Sequence, residues 1–185
     1  MKDVLKTDRL VLRHFTHDDA PRVQALVGNW KVARMLARVP YPYRDGMADA
    51  WIATHDARRA SGEGYAYAIA ADGELVGTIG LDRDGDAYEL GYWIGEPHWS
   101  KGIATEAGRA LAAHAFDRMP VPKLTAGHLA ENHASGRVLT KLGFRYIAEA
   151  EIWSEARREK LRGLKMELSR SRAGAKLLPA SEMAR

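Results

Sequence analysis

The sequence contains no cysteine, which excludes disulfide bonds and a thiol nucleophile. This composition suits a reducing compartment, so we expect a cytoplasmic protein. No uninterrupted apolar run reaches the length that crosses a bilayer, and we therefore expect no membrane-spanning segment. The first residues also lack the apolar core of a secretory signal peptide, so none is expected.

Several binding signatures are missing as well. The sequence has neither the glycine-rich loop of P-loop enzymes nor the Gly-x-Gly-x-x-Gly of dinucleotide-binding domains. It has no RNP, helix-turn-helix or zinc-finger pattern, so nucleic acid is not an expected partner. The seven histidines show no zinc-ligand spacing, and we expect no metal site.

The positive charge of the chain is concentrated at its C-terminal end. Residues 151–185 contain nine Lys or Arg and five Asp or Glu, which accounts for the net charge of +4 of the 185 residues. Such a segment can attract an acidic partner, for example the ribosome or a nucleic acid. It can also be a solvated strand followed by a loose tail, which is the interpretation that we favour, and the role of the segment stays open.

Hydrophobic periodicity and turn residues predict one domain over residues 1–170 and a flexible tail over 171–185. An Asp-Gly pair at 72–73 lies between two apolar runs, which predicts a β-hairpin, and a third antiparallel strand follows it. The predicted strands cover residues 9–16, 65–70, 75–81, 89–94, 123–129, 144–148 and 164–168. The predicted helices cover residues 17–27, 30–36, 47–60 and 132–142, with a further one that begins at 103.

The stretch from Tyr88 to Gly108 has the pattern of a strand, a turn and a helix. Its first residues are rich in aromatic and branched side chains, which suits a strand, and Pro97 ends that strand because it cannot donate to a sheet ladder. Apolar residues then recur on one helix face, at 103, 107, 110, 111 and 115. Gly102 stands where the helix begins, so the backbone can approach a ligand closely there, and the free N–H groups of the helix start attract an anion such as phosphate.

Within this stretch, Trp99-Ser-Lys-Gly-Ile-Ala104 resembles the acyl-CoA signature of the GNAT superfamily of N-acetyltransferases, Gln/Arg-x-x-Gly-x-Gly/Ala. Trp99 stands where the family has Gln or Arg. The following Thr-Glu-Ala is similar to the branch that contains ribosomal-protein-alanine N-acetyltransferases and several small-amine acetyltransferases. The resemblance extends from about residue 7 to about residue 169. It implies the α+β fold of acyl-CoA N-acyltransferases, in which helices flank a central, mixed and mostly antiparallel sheet.

The resemblance implies acetyl-CoA as the cosubstrate. In the family, backbone amides at the helix start hold the pyrophosphate, and the end of the preceding strand belongs to the same site. On this chain, these positions are Trp93, Ile94, Lys101, Gly102, Ile103, Ala104 and Thr105.

A second stretch, Asn132-x-x-Ser135 followed by Lys141-Leu-Gly-Phe144, resembles the second signature of the same branch. The resemblance implies that Asn132 bonds the pantetheine arm of the cofactor and that Ser135 lies near the sulfur as a general acid. A helix-capping Asn and a first-turn Ser are the structural alternatives. Many members of the superfamily carry a tyrosine acid seven residues after the Asn, where this chain has Leu139, so either Ser135 or water protonates the thiolate.

The reaction so implied moves acetyl directly from a thioester to an amine, which agrees with the missing cysteine. A carboxylate can take the proton of the amine directly or through a water. Glu89 is the candidate base, because the family often places a carboxylate at the start of this strand, and a solvent-facing strand glutamate is the alternative. Glu106 is expected to be structural, as a first-turn carboxylate.

The expected acceptor is a protein N-terminal α-amine, as in the ribosomal-protein-alanine type. An α-amine titrates near ~8 and a lysine near ~10.4, so the α-amine needs less help from a base to lose its proton at neutral pH. A small amine (polyamine, amino acid or aminoglycoside) and a non-catalytic acyl-CoA sensor are the alternatives. By resemblance, residues 30–43 and Trp51 line the acceptor pocket, although each aromatic there fits a core position equally well. The protein is expected to be a monomer or a homodimer.

Overall fold

A computed structural model of the chain describes residues 1–177, which form a single eight-stranded sheet with helices on both faces. The strands are β1 Val4–Lys6, β2 Leu10–Arg13, β3 Gly64–Ala71, β4 Glu74–Asp84, β5 Ala87–Ile94, β6 Lys123–Leu129, β7 Arg145–Ser154 and β8 Glu159–Ser169. The helices are α1 Ala20–Val27, α2 Trp30–Ala33, α3 Met47–Ala53, α4 His55–Ser61, α5 Ile103–Arg118, α6 His133–Leu142 and α7 Arg170–Leu177.

The sheet is mixed and mostly antiparallel, which confirms the predicted fold class. Its strand order is β1-β2-β3-β4-β5-β6-β8-β7. Among the described strands, β5 and β6 form the parallel pair and every other pair is antiparallel. Parallel neighbours need a long crossover connection, and here α5 with the turn before it makes that crossover.

A layer of helices packs on each face of the sheet, and the alternation of strand residues decides which side chain meets which layer. Leu90 and Ile94 of β5 join α5 and α6 in the larger apolar cluster. Trp93, between them in sequence, packs with α1, α2 and α3 in the second cluster. Consecutive side chains of β5 therefore lie on opposite faces of the sheet.

Two elements were not predicted from the sequence. The short strand β1 pairs with β2, and the hydroxyl of Tyr67 donates to the carbonyl of Lys2 next to it. Helix α7 begins at Arg170, whose guanidinium donates to the carbonyl of Val121 at 3.1 Å, to that of Met119 in the same α5–β6 connection, and to that of Phe116 near the end of α5. This helix occupies the first part of the predicted tail, and residues 178–185 of that tail lie outside the described residues.

Several predicted boundaries differ from the structure: the first predicted strand ends at Arg13, the helix predicted over 30–36 ends at Ala33, and the last strand begins at Glu159. The helix predicted over 47–60 is interrupted at Thr54, whose hydroxyl donates to the carbonyl of Trp51 at 2.7 Å, a local bond that competes with the helical pattern. The strand predicted over 144–148 extends to Ser154 as β7, because it pairs along its length with β8.

We predict that Gly77→Ala pushes β4 away from β5 and lowers the free energy of unfolding by ~1–3 kcal/mol. A Cβ at Gly77 would lie 2.4 Å from the carbonyl oxygen of Trp93 and 3.1 Å from the Cα of Ile94, and both are backbone atoms that cannot rotate away. Urea denaturation measures the change. Gly91→Ala on β5 is the matched control, because no atom lies within 4 Å of a Cβ there. Equal losses in both variants would contradict the prediction.

Candidate active site

A cleft passes through the sheet between β5 and β6. Of the residues that the structure describes, these two strands pair only at Tyr88 with Leu124 and at Glu89 with Thr125. Beyond those pairs, β5 continues to Ile94 and β6 to Leu129 without bonding to each other. A cavity of about 1640 Å³ opens at the cleft and is lined by residues of both strands.

The turn after β5 forms one end of the cavity. In this turn, the indole N–H of Trp99 donates to the carbonyl of Ile94 at 2.6 Å and so fixes the backbone. Trp99 therefore has a structural role at the position where the family signature has Gln or Arg. Gly102 adopts a φ of 78°, in the left-handed region that favours glycine, and α5 starts directly after it. The N–H groups of the first helical turn have no partner within the helix, so they are available to an anion.

Most of the residues predicted to bind the cofactor are brought together here. Trp93, Ile94, Gly102, Ile103, Ala104 and Thr105 line the cavity, whereas Lys101 does not. The carbonyl of Lys101 accepts a hydrogen bond from the guanidinium of Arg9 at 3.1 Å. The same guanidinium lies 3.5 Å from where a Cβ of Gly102 would be. Arg9, which the sequence did not single out, therefore places a guanidinium beside the turn, where it also pairs with Glu106 at 2.6 Å.

Glu106, in the first turn of α5, anchors this end of the site to the connection between β1 and β2. Its carboxylate accepts from the hydroxyl of Thr7 at 2.6 Å and from the backbone and side chain of Arg9 at 3.1 and 2.8 Å. Burial acts to raise the pKa of Glu106, but these hydrogen bonds outweigh it and lower the pKa below its usual value. Its contacts are those of a structural carboxylate.

Glu89 lies on the opposite face of the sheet from α5, beside a second carboxylate. It pairs with Asp82 across β4 and β5, and its side chain is 42% exposed. The guanidinium of Arg38 lies 3.5 Å from Glu89 and 2.7 Å from Asp82. Burial, together with Asp84 and Asp82, raises the pKa of Glu89, whereas Arg38 and Lys165 oppose the rise. A carboxylate with a raised pKa is a stronger proton acceptor.

Asn132 and Ser135 lie at the start of α6, across the cleft from β5. The side-chain oxygen of Asn132 accepts the backbone N–H of Ser135 at 3.1 Å, so Asn132 caps the helix. The hydroxyl of Ser135 lies 2.8 Å from the hydroxyl of Tyr92. Leu139, at the position where many relatives have tyrosine, is 1% exposed and belongs to the core.

Tyr92 is a functional candidate that the sequence analysis missed. In sequence it is an ordinary strand aromatic, and its partner Ser135 is distant along the chain. Burial raises the pKa of Tyr92 to about 12, partly offset by the hydrogen bond with Ser135. Because side chains alternate along β5, Tyr92 faces α6 whereas Glu89 faces the other side. The cleft therefore has a carboxylate on one face and a pair of hydroxyls on the other.

The connection between α2 and α3 covers the Glu89 side of the cavity. Residues 34–40, Tyr43 and Trp51 line it, and Trp51 also packs against Phe15 and His55. The carbonyl of Ala37 accepts the N–H of Glu155 at 2.9 Å, which ties this connection to the β7–β8 turn. The Glu89 side of the cavity is thus enclosed by a connection that crosses the cleft.

Much of the basic C-terminal segment is paired within the hairpin of β7 and β8. Arg162 pairs with Glu149, Lys160 with Glu151 at 3.3 Å, and Arg157 with Glu159 at 2.9 Å. These contacts favour a solvated strand over a surface for an acidic partner. Within residues 1–177, no group of three His, Asp or Glu side chains is placed to hold a metal ion, and no helix is both long and apolar enough to span a bilayer.

Comparisons with known proteins agree with the fold. The family model of the acetyltransferase (GNAT) domain matches residues 9–145. YoaA, an uncharacterized N-acetyltransferase of Bacillus subtilis, is 31% identical over 149 residues, which are 78% of this chain and 84% of the relative.

Two solved structures have closely similar backbones. RimL, a ribosomal alpha-N-protein acetyltransferase in complex with coenzyme A, has a TM-score of 0.79 at 18% identity, covering 90% of this chain and 97% of that chain. The microcin C7 self-immunity acetyltransferase MccE, in complex with acetyl-CoA and AMP, has a TM-score of 0.77 at 16% identity, covering 88% and 93%. At these sequence identities, the structural similarity shows the fold alone.

We predict that Arg38→Gln raises the pKa of Glu89 further, because the substitution removes the cation nearest to its carboxylate while Asp82 stays in place. Titration of the side-chain carboxyl carbons by NMR measures the shift. Arg34→Gln is the matched control, because Arg34 pairs with Glu131 at 3.6 Å instead. A Glu89 midpoint that stays unchanged or falls in Arg38→Gln would show that the ion pair does not form in solution.

Proposed function

Because the chain belongs to the GNAT family of acetyltransferases, it is an acetyl-CoA-dependent acyltransferase, and we propose that its acceptor is a protein N-terminal α-amine of the ribosomal-protein-alanine type. The observation that carries the proposal is the cleft between β5 and β6. One end of it offers free backbone amides, one face offers a carboxylate, and the other face offers hydroxyls. A thioester lying in the cleft would have an amine-binding side and a thiol side.

The donor half of the site is built mainly from backbone. The amides of residues 102–105 would hold the pyrophosphate at the start of α5, with Arg9 and Lys101 supplying positive charge. Arg137 and Lys141, both exposed on α6 and lining the cavity, add charge for further phosphate oxygens. The unpaired edge of β5 between Leu90 and Ile94 can bond the amides of the pantetheine arm as a strand would.

Asn132 has a divided role in this proposal. Its side-chain oxygen caps α6, so its amide NH₂ is the group that remains for a pantetheine carbonyl. The structural alternative for Asn132 and the proposed cofactor contact are therefore compatible, because they use different atoms. The cap places the first turn of α6, and with it Ser135, beside the cleft.

The proposed reaction is a direct transfer. The neutral amine attacks the thioester carbonyl carbon, a C–N bond forms, and the C–S bond breaks as the tetrahedral intermediate collapses. Glu89 takes the proton of the amine, directly or through a water, and its raised pKa suits that task near neutral pH. The leaving thiolate departs toward Ser135.

The choice of acceptor rests on the enclosed side of the cavity. Its walls combine the apolar connection from α2 to α3 with the carboxylates of Asp82 and Glu89, which suits a chain that ends in an amine. The similarity to RimL supports a protein acceptor. MccE, whose name gives microcin C7 and no ribosomal protein, shares the fold as well, so a small amine stays the alternative acceptor. A cytoplasmic location and a monomer or homodimer stay predictions from the sequence.

An acceptor panel tests the proposal by measuring thiol release from acetyl-CoA. We expect peptides with an N-terminal Ala to give a kcat/KM at least tenfold above that of polyamines, amino acids and aminoglycosides, which corresponds to ~1.4 kcal/mol of discrimination. Glu89→Gln should lower kcat by ~10²–10⁴. Preference for a small amine would establish the alternative acceptor, and acetyl-CoA binding without thiol release from any amine would favour a non-catalytic sensor.

Gly102→Ala tests the amide cradle. A side chain at a left-handed φ costs ~1–2 kcal/mol, so the backbone should leave this conformation and weaken acetyl-CoA binding by about tenfold or more, as measured by calorimetry. Gly73→Ala is the matched control, because Gly73 has a φ of 82° in the β3–β4 turn, away from the cleft. Gly73→Ala should lose about as much stability as Gly102→Ala but keep its affinity for acetyl-CoA. Unchanged affinity in Gly102→Ala would argue against the cradle.

A further inference from the structure

The hydroxyls of Tyr92 and Ser135 form a contact to which the proposed reaction assigns no role. The Tyr92 oxygen lies 2.8 Å from the Oγ of Ser135 and 3.3 Å from the Ser135 carbonyl oxygen. Both residues line the cavity. Tyr92 belongs to β5, and Ser135 belongs to α6, which follows β6, so the contact joins the two sides of the cleft.

Tyr92 has one proton and two acceptors on Ser135, the Oγ at 2.8 Å and the carbonyl oxygen at 3.3 Å. The contact with Oγ lies within the ordinary range of an O–H···O hydrogen bond, whereas the contact with the carbonyl oxygen is longer than that range. Burial raises the pKa of Tyr92 to about 12, so its hydroxyl keeps its proton at neutral pH. With Tyr92 as the donor to Oγ, the serine's own O–H is free to point into the cavity that both residues line.

We infer that Tyr92 is a positioning residue that turns the hydroxyl of Ser135 toward the sulfur of coenzyme A, so that this hydroxyl stabilises the leaving thiolate. The inference rests on the proposed function for the location of the sulfur. As the C–S bond breaks, both electrons stay on sulfur, and Ser135 donates a hydrogen bond to it while keeping its proton. Solvent protonates the thiolate after it leaves. Donation from Tyr92 polarises the serine O–H and strengthens its bond to sulfur.

A double-mutant cycle on kcat tests whether Tyr92 acts through Ser135. Tyr92→Phe should lower kcat by about tenfold, the factor for one ordinary hydrogen bond, with little change in the KM for acetyl-CoA. In the Ser135→Ala background, the same substitution should have almost no further effect. Independent losses that multiply, or an unchanged kcat in Tyr92→Phe, would overturn the inference.

Tyr88→Phe is the matched control for this cycle. Tyr88 is on the same strand and the same face as Tyr92, and its hydroxyl donates to the carbonyl of Gly62 at 2.7 Å, away from Ser135. Removing that hydroxyl should cost comparable stability without changing kcat. An equal fall in kcat for both tyrosine variants would assign the effect to packing and overturn the positioning role.

A binding measurement separates this inference from the acceptor question, because it needs only coenzyme A. The NMR shift of the methylene group beside the sulfur follows thiol ionisation in the binary complex. We expect the thiol of bound coenzyme A to ionise at a lower pH in the wild type than in Tyr92→Phe or Ser135→Ala. Equal midpoints in all three would overturn the inference even if amines are acetylated. Absence of coenzyme A binding would overturn the proposed function, and the inference with it.

Discussion

The divergence of β5 and β6 is the constraint on which the site depends. Each strand keeps a complete ladder with its other neighbour, β5 with β4 and β6 with β8, so the sheet stays intact while the two parallel strands separate. Their facing edges then carry backbone N–H and C=O groups without a partner in the sheet, and buried groups of this kind require one. A ligand with amide groups of its own can satisfy them, and the opening is continuous from one face of the sheet to the other.

In the proposed reaction, this geometry also separates the base from the groups that stabilise the leaving thiolate. Alternation along β5 sends Glu89 and Tyr92 to opposite faces, so a carboxylate and a hydroxyl pair would act on the same reaction without contacting each other. A carboxylate beside a thiolate would repel it, whereas a hydroxyl can stabilise it. The strand therefore supplies two incompatible environments within four residues, and α5 and α6 position the groups on the thiol side.

The sequence predicts best the features that are encoded locally. The strand, turn and helix from Tyr88 to Gly108, the hairpin at 72–73 and the helix before Gly143 are all observed, since turn residues and periodicity determine them. Helix α7 was not predicted, because distant carbonyls hold Arg170. Tyr92 and Arg9 were missed for the same reason, since each acquires its role from a contact far along the chain. Strand β1 is too short to show a period.

The two substrates are defined by different parts of the fold, and this explains why the donor can be identified more sharply than the acceptor. In the proposed site, the donor half uses backbone amides and strand edges, which follow from the topology and persist when side chains change. The proposed acceptor half uses side chains of the α2–α3 connection, held over the cleft by the bond between Ala37 and Glu155. Loops vary more than the scaffold that carries them. Proteins that share this fold can therefore keep coenzyme A and exchange the amine, so acceptor identity has to be argued from those loop residues.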